Sequence, residues 1–69
     1  MNLENNLRVL RAKKDVTQEV LAEAIEVSRQ TINAIELGKF NPSVVTGLKL
    51  ARFFGTTVEE VFFLEEEKS

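Results

Sequence analysis

The sequence predicts an all-α fold, a compact five-helix domain, and three observations lead to that prediction. Apolar residues recur at helical spacing along the chain, and no segment alternates with period two. At 69 residues the chain has the size of one small domain, and such a domain has little room for a deep catalytic cavity. The composition, 43% apolar and 29% charged, is that of a globular protein. We therefore interpret residues 1–69 as a single domain.

The residue types that the chain lacks exclude several classes of chemical site. The chain has no cysteine and no histidine, and it also lacks tyrosine and tryptophan. This removes disulfides, thiolate or imidazole metal sites and the commonest general base. The longest apolar run, "VFFL", is far too short to span a membrane, and "MNLENNLRVL" does not resemble a signal peptide. We expect a cytoplasmic protein that is not an enzyme, with no cofactor and no membrane partner.

Charge is distributed unevenly along the chain. The formal net charge is −2, but residues 1–52 hold eight Lys or Arg against six Asp or Glu. Residues 53–69 hold one basic residue against five acidic ones. A basic body with an acidic end can still present a positive face to nucleic acid.

Caps and breakers set the boundaries of the first three predicted helices. The first carries an apolar stripe of Leu3, Leu7 and Leu10 and ends at "KKD". Thr17 is the predicted N-cap of the second helix and Ser28 that of the third, because side-chain oxygens at this position accept from free backbone N–H groups. Gly38 is predicted to end the third helix in a left-handed conformation.

Two further helices are predicted after the loop "FNPS", in which Pro42 disfavours helix at the residue before it. The fourth helix runs to Gly55 with an apolar stripe, namely Val44, Val45, Leu48 and Ala51. Thr57 and Glu60 predict a capping box for a fifth helix, "VEEVFFLEEE", so that a C-terminal helix covers 57–66.

The second and third helices have the pattern of a helix-turn-helix. A small residue, Ala22, stands where two backbones would meet, and Glu26 follows in a tight turn. Apolar residues occupy the shared inner face on both sides of that turn, namely Val20, Leu21, Ile25, Val27, Ile32 and Ile35. Two helices that cross steeply over a short turn need these features. The pattern is moderately specific, since many helical hairpins share part of it.

The outer face of the third helix is suited to base edges. At about 100° per residue, Arg29, Gln30, Asn33 and Ala34 lie opposite the apolar pair. Arg can donate two hydrogen bonds to guanine, and Gln or Asn can pair with adenine. The alternative is an ordinary solvated face, because exposed polar residues are the rule. The hairpin before this arc favours the DNA interpretation.

The run "LRVLRAKKDVTQEVLAEAIEVSRQTINAIELGKFNPS" resembles the Cro and lambda-repressor-like helix-turn-helix family, also called the xenobiotic-response-element type. The likeness continues through "LKLARFFGTTVEEVFFLEEE", and "VSRQTIN.IE.GK.NPS" is its most specific part. The resemblance implies a transcriptional regulator, usually a homodimer, that binds double-stranded operator DNA with the helix from Ser28 to Leu37 in the major groove.

The resemblance also implies roles for particular residues. Base-reading positions fall on Arg29, Gln30, Thr31 and Asn33, and backbone-contacting positions fall on Gln18, Ser28, Lys39 and Asn41. Helix N-termini and nearby cations are suited to phosphate on physical grounds as well. Arg11 and Lys13 are weaker candidates for the backbone, because long basic side chains often only solubilise a surface.

Two positions depart from the family pattern. The turn residue that is often Gly is Glu26 here, and a positive φ at a residue with a Cβ costs about 1 kcal/mol. Gly47 lies inside the fourth helix, where it weakens the helix by about 1 kcal/mol relative to Ala.

The predicted fifth helix contains more apolar side chains than one inner face can bury. Val58, Val61 and Phe62 fit that face, which leaves Phe63 and Leu64 over. Phe63 either folds back under Phe53 or Phe54 or belongs to a partner surface, and we place the dimer interface on Phe63 and Leu64. The "EEEK" tail is interpreted as a solvated end, with metal binding a remote alternative.

These features predict a sequence-specific, dimeric repressor that occupies operator DNA. The alternative is an antitoxin-like or other protein-interaction module that uses its acidic end to bind a regulatory protein partner. Salt-dependent binding to duplex DNA would distinguish the two. The operator sequence, the target genes, the inducing signal and the choice between repression and activation lie outside what the sequence predicts.

Overall fold

The structure, a computed structural model, describes residues 2–66. Five helices lie between two short strands that pair with each other. In chain order the elements are β1 (Asn2–Asn5), α1 (Leu7–Lys14), α2 (Gln18–Ile25), α3 (Arg29–Glu36), α4 (Val44–Phe54), α5 (Val58–Val61) and β2 (Phe62–Glu65). Met1, the last two residues of the "EEEK" tail, Glu67 and Lys68, and the final Ser69 lie outside the described residues.

The predicted N-caps of α2, α3 and α5 are confirmed. The hydroxyls of Thr17, Ser28 and Thr57 accept from the backbone N–H three residues ahead, at 3.1, 3.1 and 3.3 Å. Ser43 caps α4 in the same way at 3.2 Å. Only half of the capping box forms. The Thr57 hydroxyl accepts from the N–H of Glu60 and donates to the Glu60 carboxylate, so this carboxylate does not accept from the backbone N–H of Thr57. Each cap fixes where a helix begins.

One apolar core joins all five helices and β2. Six side chains are fully buried, namely Leu7, Leu21, Ile32, Ile35, Leu50 and Val61. Ala22, predicted to let the helices approach, is buried in the same cluster. The core holds α3 against α2, and it leaves the opposite side of α3 in solvent.

The prediction of a C-terminal helix over 57–66 is wrong beyond Val61. The chain turns extended at Phe62, with φ −124° and ψ 142°, and residues Phe62–Glu65 pair antiparallel with Asn2–Asn5. A strand alternates its side chains between two faces, and Phe62 is buried while Phe63 faces outward. The all-α prediction is therefore right for the five helices and misses a two-stranded sheet.

The same sheet takes Leu3 out of the predicted first helix. Leu3 lies on β1 opposite Leu64 and packs against the edge of the core. The strand is tied to α3 by Asn5, whose side-chain amide donates to the carbonyl of Ile35 at 3.0 Å. The N-terminal segment therefore supports the end of α3 instead of extending α1.

The apolar stripe predicted for α4 is also rotated. Val44, Val45 and Leu48 are exposed, with 80%, 62% and 56% of their surface accessible, whereas Leu50 and Ala51 are buried. Gly47 turns toward the core, since a Cβ built on it would lie 4.0 Å from the ring of Phe62. The sequence pattern alone could not give this rotation, because Phe62 selects the face of α4 on which it packs.

The turn between α2 and α3 keeps the helix-turn-helix geometry without a glycine. Glu26 adopts a left-handed conformation, φ 64° and ψ 44°, and its N–H donates to the carbonyl of Glu23 at 3.3 Å. The N–H of Val27 donates to the carbonyl of Ala22 at 3.0 Å. Glu26 therefore adopts the left-handed conformation that is strained for a residue with a Cβ, and the turn has the backbone shape that a glycine would adopt without strain.

Candidate nucleic-acid interface

α3 presents two chemically opposite faces. Ile32 and Ile35 are buried, and Arg29, Gln30 and Asn33 are exposed on the other side of the helix. The exposed side chains offer guanidinium and amide groups, which are the groups that read base edges in a major groove. The predicted polar arc therefore exists as a solvent-facing surface on one short helix.

Two of the predicted contact residues meet at the N-terminus of α3. The hydroxyls of Ser28 and Thr31 lie 2.9 Å apart, and the backbone N–H of Thr31 donates to Ser28 Oγ. Thr31 is half-buried and Ser28 is exposed. Both hydroxyls therefore serve the helix cap, at the end of α3 where free N–H groups favour an anion.

Gln18, the first residue of α2, connects the two helices of the hairpin. Its Nε2 donates to Asn33 Oδ1 at 3.1 Å and to Glu36 Oε1 at 3.1 Å. The predicted backbone-contacting residue and the predicted base-reading residue therefore touch each other. Both donors of the Gln18 amide are used, and its carbonyl oxygen remains as an acceptor.

Glu36 is the buried centre of this network. Its side chain is 1% exposed and forms a paired contact with Arg11, from Nε at 2.6 Å and from the second guanidinium nitrogen at 3.1 Å. Burial alone would raise the pKa of Glu36. The hydrogen bonds from Arg11 and Gln18, with the charges of Arg11 and Arg8, outweigh burial and hold the pKa below its ordinary value of 4.5. The hydrogen bond to Glu36 raises the pKa of Arg11 in turn.

The Arg11 guanidinium forms hydrogen bonds to two different parts of the chain. Besides Glu36, its guanidinium donates to the backbone carbonyl of Val16 at 3.1 Å, in the turn before α2. The phosphate contact predicted for Arg11 stays a prediction, but the contacts observed in the structure are internal. Arg11 therefore braces α1 and the α1–α2 turn against the end of α3.

The remaining predicted backbone contacts lie around the hairpin. Lys13 is exposed on α1, and Lys39 and Asn41 are exposed in the loop after α3. The N–H of Lys39 donates to the carbonyl of Ala34 at 2.9 Å, which fixes the start of that loop. Between α1, α2 and α3 lies an open cavity of about 610 Å³, lined by Arg11, Asp15, Val16, Thr17, Gln18, Glu19 and Arg29.

Sequence reasoning did not single out Glu36. The signal was its place one turn after Asn33, on the flank of the buried isoleucines, with a basic residue available on the first helix. A carboxylate this close to an apolar stripe can be buried only if a cation pairs with it. Only the folded chain shows that Arg11, 25 residues earlier, supplies that cation.

A helical hairpin with a three-residue turn and a polar outer arc on its second helix defines a helix-turn-helix domain. The helix-turn-helix family model matches residues 7–61, from the start of α1 to the end of α5. The chain belongs to the Cro and lambda-repressor-like helix-turn-helix family of transcriptional regulators. The resemblance carried by the recognition motif is thereby confirmed.

Several known proteins are similar in sequence over most of this chain. An HTH-type transcriptional regulator of Methanocaldococcus jannaschii is 46% identical over 66 residues, which are 96% of this chain and 100% of that protein. The cryptic phage CTXphi transcriptional repressor RstR of Vibrio cholerae is 37% identical over 57 residues, covering 83% of this chain and 51% of the repressor.

A solved structure has a similar fold. The restriction-modification controller protein C.AhdI from Aeromonas hydrophila superimposes with a TM-score of 0.72 at 37% identity, over 78% of each chain. Among the described residues 2–66, no helix combines the length and apolar character needed to cross a membrane.

Proposed function

We propose that this chain is a sequence-specific transcriptional regulator that reads operator DNA through the major groove. The observation that carries the proposal is the exposed arc of Arg29, Gln30 and Asn33 on a helix whose opposite face is buried. A helix held in this way can enter a groove about 12 Å wide without unfolding any part of the core. Arg29 would donate to guanine, and Gln30 and Asn33 would contact neighbouring bases, with Thr31 beside them.

Contacts to the DNA backbone would hold the recognition helix in register. Ser28 and Gln18 lie at the N-termini of α3 and α2, where unpaired N–H groups favour phosphate. Lys39 and Asn41 follow α3 in an exposed loop, and Lys13 adds a cation on α1. These groups carry no sequence information, so their proposed role is affinity and orientation.

The proposed regulator is a homodimer. One domain of this size offers few base contacts, and two recognition helices about 34 Å apart on one face of the duplex require a two-fold partner. Phe63 and Leu64 on β2 are exposed over 40% and 64% of their surface, and we propose that they lie in the dimer interface. A symmetric protein of this kind would bind a site with two-fold symmetry.

We further propose that the protein acts in the cytoplasm as a repressor, by occupying an operator that overlaps a promoter. The phage repressor among the relatives supports this direction of regulation. An in vitro transcription assay on the selected operator tests it. A rise in transcript on adding the protein would make it an activator.

Selection of binding sites from a random duplex library, followed by salt titration on the selected site, tests the proposed function. The logarithm of the affinity should fall linearly with the logarithm of salt concentration, with a slope of about −0.9 for each phosphate contact. An antitoxin-like protein-interaction module would enrich no sequence and show no such slope. The matched variant Arg29→Ala should enrich a less specific set of sites than the unmodified chain.

A further inference from the structure

α4 exposes an apolar surface that the core does not use. Val45 and Leu48 line a groove of about 680 Å³ that continues past the end of α4 to the start of α5. We define the α4 groove by its lining residues, Val45, Leu48, Lys49, Ala51, Arg52, Gly55, Thr56, Thr57 and Val58. Exposed apolar clusters of this kind on a small domain mark an interaction surface.

The rim of the α4 groove is basic. Arg52 forms no ion pair within residues 2–66, and Lys49 Nζ lies 3.5 Å from Glu26 Oε1 in a contact that is open to solvent. Such an exposed pair contributes little and is easily exchanged for another partner. The groove therefore offers two cations beside an apolar floor, which suits a segment that is both apolar and acidic.

The end of β2 has that composition. Phe63, Leu64, Glu65 and Glu66 follow one another, and all four are exposed. We call these four residues the acidic strand end. Neither Glu65 nor Glu66 forms an ion pair in the described part of the chain. The molecule thus carries two complementary surfaces that it does not satisfy within itself.

We propose that a second copy of this chain fills the α4 groove with its acidic strand end, and receives the acidic strand end of the first copy in return. The inference rests on the dimer proposed above and names what Phe63 and Leu64 contact. Two-fold symmetry makes the exchange reciprocal, so each dimer contains the contact twice. Lys49 and Arg52 of each copy then face Glu65 and Glu66 of the other.

The connection between the two surfaces favours a second copy as the occupant. Val58 lines the α4 groove, and β2 begins at Phe62, one helical turn later. Groove and strand end therefore lie at opposite ends of α5, and pairing with β1 holds the strand end away from the groove of its own chain, which none of residues 63–66 lines. A symmetric contact of α4 with α4 would instead oppose Arg52 and Lys49 to their own copies, and like charges in an interface are unfavourable.

Two charge-reversal variants test the reciprocal contact. The groove variant is Lys49→Glu with Arg52→Glu, and the strand variant is Glu65→Lys with Glu66→Lys. Each variant alone should form dimers with a dissociation constant raised by roughly 100-fold, because like charges then meet twice. An equimolar mixture should recover dimers, since every groove and strand end in the mixed dimer carry opposite charges.

Sedimentation velocity on the two variants and their mixture provides the measurement, with one variant carrying a fluorescent label. The matched control, Glu19→Lys with Glu23→Lys, makes the same charge change as the strand variant on the exposed side of α2, and it should stay dimeric. Helical circular dichroism of each variant establishes that it is folded.

Three outcomes would overturn the inference. Variants that stay dimeric place the interface elsewhere, and folded variants that remain monomeric when mixed show that the two surfaces do not contact each other. A monomeric unmodified chain would contradict both this inference and the proposed dimer. The salt titration of the unmodified chain on DNA is a separate measurement, so failure of this contact is distinguishable from failure of DNA recognition.

Discussion

The side-chain nitrogen of Gln18 donates to Asn33 Oδ1 at 3.1 Å, which joins the first residue of α2 to the exposed face of α3. The same nitrogen donates to the carboxylate of Glu36. A carboxylate held by Arg11 accepts hydrogen bonds and donates none, so the Gln18 amide must turn its NH2 group inward. Asn33 must then offer its oxygen to Gln18, which turns its own NH2 group toward solvent. A buried ion pair thereby orients an exposed amide.

Coupling between Gln18 and Asn33 is the first prediction. Gln18→Ala and Asn33→Ala should each weaken binding to the selected operator. The double variant should lose less than the sum of the two, with a coupling of about 1 kcal/mol, because Gln18 acts partly by orienting Asn33. Operator titrations on the four proteins measure the coupling. Strict additivity would show that Gln18 contacts DNA independently of Asn33.

Arg29 and Lys39 should have separable effects on DNA binding. Arg29→Ala should cost about 1 to 3 kcal/mol on the selected operator and relax the preference at one base pair, because a paired contact to guanine is lost. Lys39→Ala should weaken all duplexes alike and reduce the salt slope by about one unit. Binding to operator and scrambled duplexes at several salt concentrations separates the two. Losses that are equal on both duplexes for both variants would contradict the assignment.

Stability should fall in acid through Glu36. Its pKa in the folded protein is lowered below 4.5, so the unfolded chain takes up the proton first. The stabilisation is complete above pH 4.5 and is lost as the pH falls through the lowered pKa of the folded state. Glu36→Gln should reduce the free energy of unfolding at neutral pH by about 2 kcal/mol, because a hydrogen bond to a charged group is lost.

Urea unfolding of the unmodified chain and of Glu36→Gln across this pH range measures the effect. The difference between the two proteins should shrink as the pH falls below 4.5. Glu23→Gln, on the exposed side of α2, is the control and should leave the profile unchanged. A difference that is constant with pH would show that Glu36 stabilises through its shape and not its charge.

Gly47→Ala should stabilise the protein by about 1 kcal/mol. Gly47 lies inside α4, where Ala has the higher helix propensity, and its new Cβ would meet Phe62 at 4.0 Å, an ordinary contact distance. Gly55→Ala is the matched control and should destabilise by about 1 kcal/mol, because Gly55 has φ +65°. Thermal unfolding of both variants provides the comparison. A loss of stability in Gly47→Ala would mean that α4 and β2 pack more closely than this distance indicates.

Phe63→Thr should give a folded monomer with weak operator binding. Threonine suits a strand and removes the exposed ring. A glutamate here would face Glu4 across the strand pair and disturb the sheet itself. Sedimentation and circular dichroism follow assembly and folding separately. Unfolding of the variant would make Phe63 a core residue, and a dimer that persists would exclude Phe63 from the interface.

Much of the fold could be predicted because its determinants are local. The hydroxyls of Thr17 and Ser28 cap the N-termini of α2 and α3, and Gly38 adopts the positive φ expected after α3. The spacing of Ile32 and Ile35 defines the buried side of α3, and therefore the exposed side that carries Arg29 and Asn33. Cap and period act over three or four residues, so the sequence by itself determined the helices between Leu7 and Val61 and the exposed polar arc of α3.

Tertiary structure decided what depends on residues distant in the chain. Whether Phe62 continues a helix or begins a strand depends on Asn2–Asn5, which supply the backbone partners 57 to 63 residues away. Phe62 then selects the face of α4 that turns inward and leaves Val45 and Leu48 outside. Glu36 could be buried only because Arg11 lies beside it in the folded chain. The helical preference of a short segment is set by its own residues. A strand, a buried helix face and a buried charge each depend on a partner that is distant in the sequence and comes close only when the chain folds.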